Sequence, residues 1–354
     1  MSVQTGRSRT GRDDLRPAGA RSPGSGRGTL PHGNEEPHMR SARLAVLSVL
    51  TAAAVVAAPL AASAKDGGID SRVAHPSAVS ASAQLDALRY WTPERMKSAT
   101  PLDITVDTLP GTSTDVAKGE PQTITPLSPT NGGGQWTGGG KVVTTSGRVF
   151  FTFQGKNASC SGNALTSGNK STVVTAGHCV KYQGAWHTNW VFVPNYNNGN
   201  RPYGTWTGRQ LLSTPQWIAS EDINYDVGMA VVNQLNGAYL TDVVGGQGIA
   251  FNQPRGVQVY DFGFPAAAPY DGEKLIYCSG VTINDFLLSQ DIGLKCDMTG
   301  GSSGGPWFRS FSESTGVGIQ TSVNSFKYNF LQTYMFGPYF GNDAQTLYNS
   351  AQAA

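Results

Sequence analysis

The sequence predicts an all-β protein, a sandwich or barrel arrangement with room for two barrels, ending in a short C-terminal helix. Three observations carry this. Short β-type runs recur between Gly, Asn and Pro after Lys141, at 149–153, 172–175, 190–193, 227–232, 257–262 and 316–321. Glycine is abundant (44 residues of 354, with 20 prolines), while charged residues make up only 14%, against a usual share of about 25%. The patterned stretch also runs from Lys141 to Ala354, too long for one small barrel and suited to two.

Residues 1–38 are rich in Gly, Arg, Pro and Ser and hold too little apolar surface to fold. They read as a disordered extension, or as sequence upstream of a true start at Met39. Residues 39–64 read as a secretory signal peptide: a basic Met39-Arg40-Ser41-Ala42-Arg43, an apolar run over 44–60, then Ala62-Ser63-Ala64. That run is too short and too Ala-rich for a membrane anchor, so a secreted, extracellular protein is expected, without stable membrane association. Residues 65–137 follow as pro-segment and linker, with a helix over 81–96, then Pro/Thr-rich extended sequence and a glycine-rich stretch at 131–140. A permanent N-terminal appendage is the other reading of this segment. Residues 138–354 form the β domain, with 236–248 linking its halves and a helix over 342–351 capped by Asn342 or Asp343.

The net charge of +2 conceals a split. Residues 1–64 hold eight Arg and four acids, and residues 65–135 hold six bases and eight acids. The remainder holds twelve of each, unclustered, which excludes an electrostatic footprint for nucleic acid or an anionic membrane. The cysteines are Cys160, Cys179, Cys278 and Cys296. An even count in an exported chain points to two disulfides, in any of three connectivities. No C-x-x-C spacing occurs, and only His178 and His187 accompany the thiols, so no metal is expected. His187 reads as a surface histidine.

Three stretches carry chemistry. In Thr175-Ala176-Gly177-His178-Cys179, a histidine sits at the end of an apolar strand, where a general base can be held at a fixed angle. In Gly300-Gly301-Ser302-Ser303-Gly304-Gly305-Pro306, glycines permit a tight turn that exposes the Ser303 hydroxyl. The same turn aims the N–H groups of Gly301 and Ser303 at a carbonyl oxygen, as an oxyanion hole requires. A carboxylate must orient the histidine, and Asp222 and Asp226 both precede an apolar strand. Asp226 abuts the apolar run directly and is the better candidate, while Asp222 reads as a turn residue.

These stretches resemble the three signature regions of the trypsin/chymotrypsin-type serine endopeptidases, in the order His, Asp, Ser, over roughly 141–354. The resemblance implies two six-stranded antiparallel β-barrels with the active site in the cleft between them. It implies His178, Asp226 and Ser303 as catalytic triad, the pairings Cys160–Cys179 and Cys278–Cys296, no cofactor, and a monomer acting on a polypeptide substrate through an acyl-enzyme. Two features depart from animal members. Their nucleophile follows an aspartate that pairs with a new N-terminal ammonium, whereas here the preceding residue is the uncharged Ser302. The oxyanion hole must therefore be shaped another way, and activation would proceed by removing a covering pro-segment. The run from Cys296 to Ser303 also resembles bacterial glutamyl endopeptidases, with Thr299 ahead of paired glycines. Yet Gln320 matches the position of their pocket histidine, and Asp297 matches a trypsin-type pocket acid. Asp297, Thr299 and Gln320 are thus the candidate specificity residues, and the preferred side chain stays open. The alternatives are a non-catalytic trypsin-fold binding protein and an esterase or acyltransferase using the same triad.

Overall fold

The structure, a computed structural model, describes residues 73–106, 116–124 and 139–354. The extension expected over 1–38, the signal peptide expected over 39–64 and most of the expected glycine-rich linker lie outside the described residues. The N-terminal segment supplies β1 (Ala74–Pro76), α1 (Ala81–Tyr90), α2 (Pro93–Lys97), β2 (Thr100–Pro101), β3 (Ile104–Val106) and β4 (Gln122–Ile124). The single helix expected over 81–96 is two helices. Pro93 has no N–H to donate and disfavours helical backbone at Thr92, so the first helix stops short of it. The Thr92 hydroxyl then accepts from the Arg95 N–H (3.2 Å), capping the second helix with Pro93 in its first turn. Ala87, Trp91, Met96 and Ala99 from this segment are buried against Phe150, Val191 and Tyr196 of the body.

Helix α3 (Lys141–Thr145) leads into β5 (Ser146–Phe153), β6 (Lys156–Ala164), β7 (Thr172–Thr175), the small hairpin of β8 (Lys181–Tyr182) and β9 (Ala185–Trp186), β10 (Thr188–Pro194) and β11 (Trp206–Ser213). After α4 (Pro215–Ser220), β12 (Gly228–Val232) completes a ring in the order β5-β6-β7-β12-β11-β10. Every pairing in the ring is antiparallel, and β10 closes it onto β5. Strands β7 and β12 are buried along their whole length, which explains why their sequences read as continuous apolar runs rather than alternations.

The link holds α5 (Leu240–Val244) and enters β13 (Gly248–Phe251), β14 (Gln258–Gly263), β15 (Ile276–Val281), β16 (Ile283–Asn284), β17 (Ile292–Lys295), β18 (Pro306–Ser312), β19 (Val317–Val323), β20 (Phe326–Tyr328), β21 (Tyr334–Gly337) and α6 (Asn342–Ala353). Where a second six-stranded barrel is expected, the pairings describe two sheets, β15-β14-β18-β19-β13-β4 and β16-β17-β21-β20-β3. The chain changes sheet between β19 and β20. There the Asn324 N–H donates to Gly305 and the Ser325 N–H to Phe336, both at 2.9 Å. The N-terminal segment completes the edges, with β1 antiparallel on β11, β4 antiparallel on β13, β2 parallel on β6 and β3 parallel on β20.

Helix α6 lays Leu347, Tyr348 and Ala351 into the core of the first barrel. Neither expected cap is used: Gly341 holds the cap position without a side-chain bond. The side chains of Asn342 and Asp343 instead accept from Asn252 (3.1 Å) and Gln216 (2.9 Å), so tertiary ties take precedence over capping.

Candidate active site

His178 lies in a single 3₁₀ turn (Gly177–Cys179) directly after β7, and Asp226 lies between another such turn (Ile223–Tyr225) and β12. Because β7 and β12 are barrel neighbours, residues 48 apart in sequence meet. Asp226 accepts from His178 twice, through Oδ2 from ring Nδ1 and through Oδ1 from the backbone N–H, both at 2.7 Å. The Ser325 hydroxyl donates to Oδ2 at 2.6 Å. With three donors, this fully buried carboxylate fixes both the ring and the backbone of the histidine. Nε2 of His178 is buried and has no hydrogen-bond partner among the described residues, which leaves it available to take a proton. Asp222 caps the turn at the Asn224 N–H (3.1 Å), as a turn residue would.

His187, read from sequence as a surface histidine, is buried. Its Nε2 lies 2.8 Å from the His178 carbonyl, and its ring stacks on Phe151 at 4.2 Å. Burial holds its pKa down at about 3, so Nε2 carries a proton and donates while the ring stays neutral. The misreading has a plain origin, since the partner that buries His187 arrives from β5.

Ser303 sits in the turn before β18, and its carbonyl accepts from the Ser161 N–H of β6 at 2.7 Å. The sulfur of Cys179, next in chain to His178, lies 3.7 Å from that same oxygen. The Ser303 turn is thus pressed against the histidine's own neighbour. Gly304 makes the approach possible: with φ of 81°, any Cβ there would meet Thr175 Oγ1 at 2.1 Å and the Ser161 oxygen at 2.4 Å. Gly301 has φ of 94°. The Gly300 carbonyl accepts from the Ala266 N–H (2.7 Å), and the Ser302 carbonyl accepts from the Gly305 N–H (2.9 Å) and Asn324 Nδ2 (3.2 Å). In a trans peptide the N–H points opposite the carbonyl. The N–H groups of Gly301 and Ser303 are therefore turned away from these anchors, and neither has an acceptor among the described residues. Ser302, standing where an aspartate would be, spends its hydroxyl on the Thr299 carbonyl at 2.8 Å.

The candidate pocket residues separate. Asp297 is exposed and accepts from the Tyr270 hydroxyl (2.8 Å), while the Thr299 hydroxyl donates to Ala267 (2.6 Å). Gln320 is not with them. Fully buried, it accepts from Asn163 (2.9 Å) and donates to Ser322 (3.0 Å). The residue directly before Ser325 is Asn324, whose Oδ1 accepts from Trp307 at 2.7 Å. A residue that sequence reasoning did not reach is Lys327 of β20, 2% exposed, which donates to the carbonyls of Cys296 (3.1 Å) and Gln332 (2.6 Å). Burial lowers its pKa, and Asp103 is the first of the charges opposing that shift.

Asp103 belongs to the N-terminal segment, which crosses the site. Pro101 and Ser159 are register partners, the Leu102 N–H donates to Ser159 (3.1 Å), and Ile104 faces Phe326. A side chain added at Gly300 would meet Asp103 Oδ2 at 3.2 Å. Burial raises the Asp103 carboxyl, and His178 and Lys327 partly offset that. Under this segment His178 is fully buried and Ser303 is 2% exposed.

Fold and site define a serine peptidase of the trypsin/chymotrypsin type. No family model matches the chain. The crystal structure of protease Anisep from Arthrobacter nicotinovorans is 48% identical, covering 60% of this chain and 96% of that one, with a TM-score of 0.57. A thermostable serine protease, AL20, from an extremophilic microorganism is 40% identical over 60% of this chain and 99% of its own, with a TM-score of 0.58. The chain belongs to this family of serine endopeptidases. A curated relative, an extracellular metalloprotease of Bacillus subtilis (strain 168), is 31% identical over 180 residues, and the chain spans only 54% of its length. Among the described residues, neither group of clustered donors fits the metal in that name. Among the described residues the two candidate groups are Cys160, His178 and Cys179, and Asp261, Cys278 and Cys296. In both, the two cysteines are joined as disulfides, Cys160–Cys179 and Cys278–Cys296, so no thiolate is available to ligate.

Proposed function

We propose that this chain is exported and hydrolyses peptide bonds of polypeptide substrates as a monomer, with His178, Asp226 and Ser303 as its triad and the N–H groups of Gly301 and Ser303 as its oxyanion hole. The observation that carries the reading is the pair of hydrogen bonds from His178 to Asp226, beside a glycine-framed serine. Ser303 Oγ attacks the substrate carbonyl carbon while His178 Nε2 takes the hydroxyl proton, and Asp226 stabilises the resulting imidazolium. The oxyanion is held by the two N–H groups. When the tetrahedral adduct collapses, His178 returns the proton to the leaving amine. Water, deprotonated by the same nitrogen, then releases the acid and restores Ser303.

Residues 65–137 act as a pro-segment. Segment 100–106 adds short parallel strands to both walls of the site, on β6 and on β20, and leaves the oxyanion donors without an acceptor. It covers the site without offering a carbonyl for cleavage, which supports inhibition until it is removed. Among the described residues no helix is long and apolar enough to cross a membrane.

The test is a fluorophosphonate probe applied to the secreted, processed protein, with Ser303→Ala alongside. Labelling that maps to Ser303 and disappears in the variant is expected. A folded, processed protein that takes no label would overturn the assignment and favour a binding role.

A further inference from the structure

The loop that carries the oxyanion donors lacks the charged latch of animal members, yet every carbonyl through it is tied. We infer that Ser161 is the positioning residue that holds this loop in its productive shape, in place of an ion pair. The inference rests on Gly301 and Ser303 being the oxyanion donors.

Ser161 lies in β6 of the first barrel, 1% exposed, and all four of its hydrogen-bonding functions are used, three of them across the interface between the halves. Its hydroxyl donates to the Gly301 carbonyl at 2.9 Å and accepts from the Phe264 N–H at 2.8 Å. Its N–H donates to the Ser303 carbonyl at 2.7 Å, and its carbonyl accepts from the Thr175 hydroxyl at 2.8 Å, one strand end from His178. The two donor peptides, 300–301 and 302–303, are anchored by Ala266 on one side and by Gly305 and Asn324 on the other. The peptide between them, 301–302, has the Ser161 hydroxyl as its only carbonyl partner among the described residues. The N–H of that peptide is held from within the loop, by the Thr299 carbonyl at 3.2 Å, so the Ser161 hydroxyl is what ties the peptide to the first barrel. Rotation about it would swing the Gly301 and Ser303 N–H groups apart. Removing the hydroxyl also strands the Phe264 N–H in a buried place. Because Ser161 is already part of the barrel wall, this latch needs no newly freed N-terminus.

Ser161→Ala and Ser161→Cys remove or weaken the donor, the thiol keeping the shape, and Ser161→Thr retains a hydroxyl. Each would be compared with the processed wild-type enzyme for thermal stability, kcat, KM, pH profile and affinity for a peptide aldehyde, which binds as an oxyanion-bearing adduct. Losing a whole oxyanion donor typically costs about 10²–10³ in kcat, and loosening the loop should cost about 10–100-fold. The expected result is that loss in kcat for Ala and Cys, with KM little changed. Aldehyde affinity should fall in parallel, the pH midpoint should stay put and Thr should recover activity. Wild-type kcat and aldehyde affinity in a folded Ala or Cys variant overturn the inference. So does a fall in stability alone, or a raised KM at constant kcat. The triad reading fails separately, through a wild-type enzyme that takes no fluorophosphonate label.

Discussion

Two buried residues, His187 and Asp261, make the stability of the fold depend on pH. His187 is neutral in the folded protein, its pKa lowered by burial to about 3 against an ordinary 6.5. Between those values the unfolded chain binds a proton that the folded chain refuses. Its contribution to stability is therefore complete above pH 6.5 and lost as pH falls toward 3, at up to about 1.4 kcal/mol per pH unit. Denaturant midpoints measured across that range should decline less steeply in His187→Gln, which can still donate to the His178 carbonyl but cannot titrate. Parallel curves for wild type and variant would show that His187 is not the buried neutral group described. Asp261 has the opposite sign. Complete burial raises its carboxyl well above the usual range, and the Asn324 amide and the Lys327 charge only partly oppose that. It destabilises the fold as pH rises through that raised value.

The N-terminal segment is the element whose removal should matter most. It is held through α1 and α2, which bury Trp91 and Met96, and through short strands laid on four edges. The strands nearest the site are only two and three residues long, so their hold is local and separable from the helices. Leu102→Pro deletes the N–H that binds Ser159 and disturbs a side chain packed on the first core. Uncleaved Leu102→Pro protein should hydrolyse a small ester faster than uncleaved wild type, with helices and thermal stability largely retained. Equal rates would mean that segment 100–106 does not limit access.

Across the whole molecule, the disulfides brace different halves. They close loops of nearly equal length, with separations of 19 and 18. The chain-entropy model assigns each roughly 3 kcal/mol. In a domain of this size that is about 6–12 °C in Tm. Function should separate what stability does not. Replacing Cys160 and Cys179 together by Ala frees the His178 turn and should lower kcat sharply. Replacing Cys278 and Cys296 frees a segment whose carbonyl binds Lys327, and should act mainly on KM. Calorimetry and steady-state kinetics on the two double variants would decide this, and matching kinetic profiles would refute it.

Local pattern was enough for much of this protein. The apolar runs at 172–175 and 227–232 mark strands because both faces are buried, and the same runs place His178 and Asp226 at strand ends. Glycines around Ser303 announce a turn that only glycine can make, at residues 301 and 304. Nothing local announces Ser161 or Ser325, because their hydroxyls act on residues 140 and 99 positions away. Nothing announces the burial of His187 and Lys327, or the separation of Gln320 from Asp297. Periodicity and turn chemistry are written between near neighbours and can be read from the chain alone. A hydrogen bond between the two halves, or a segment laid across a cleft, exists only once barrel closure has brought distant residues within 3 Å.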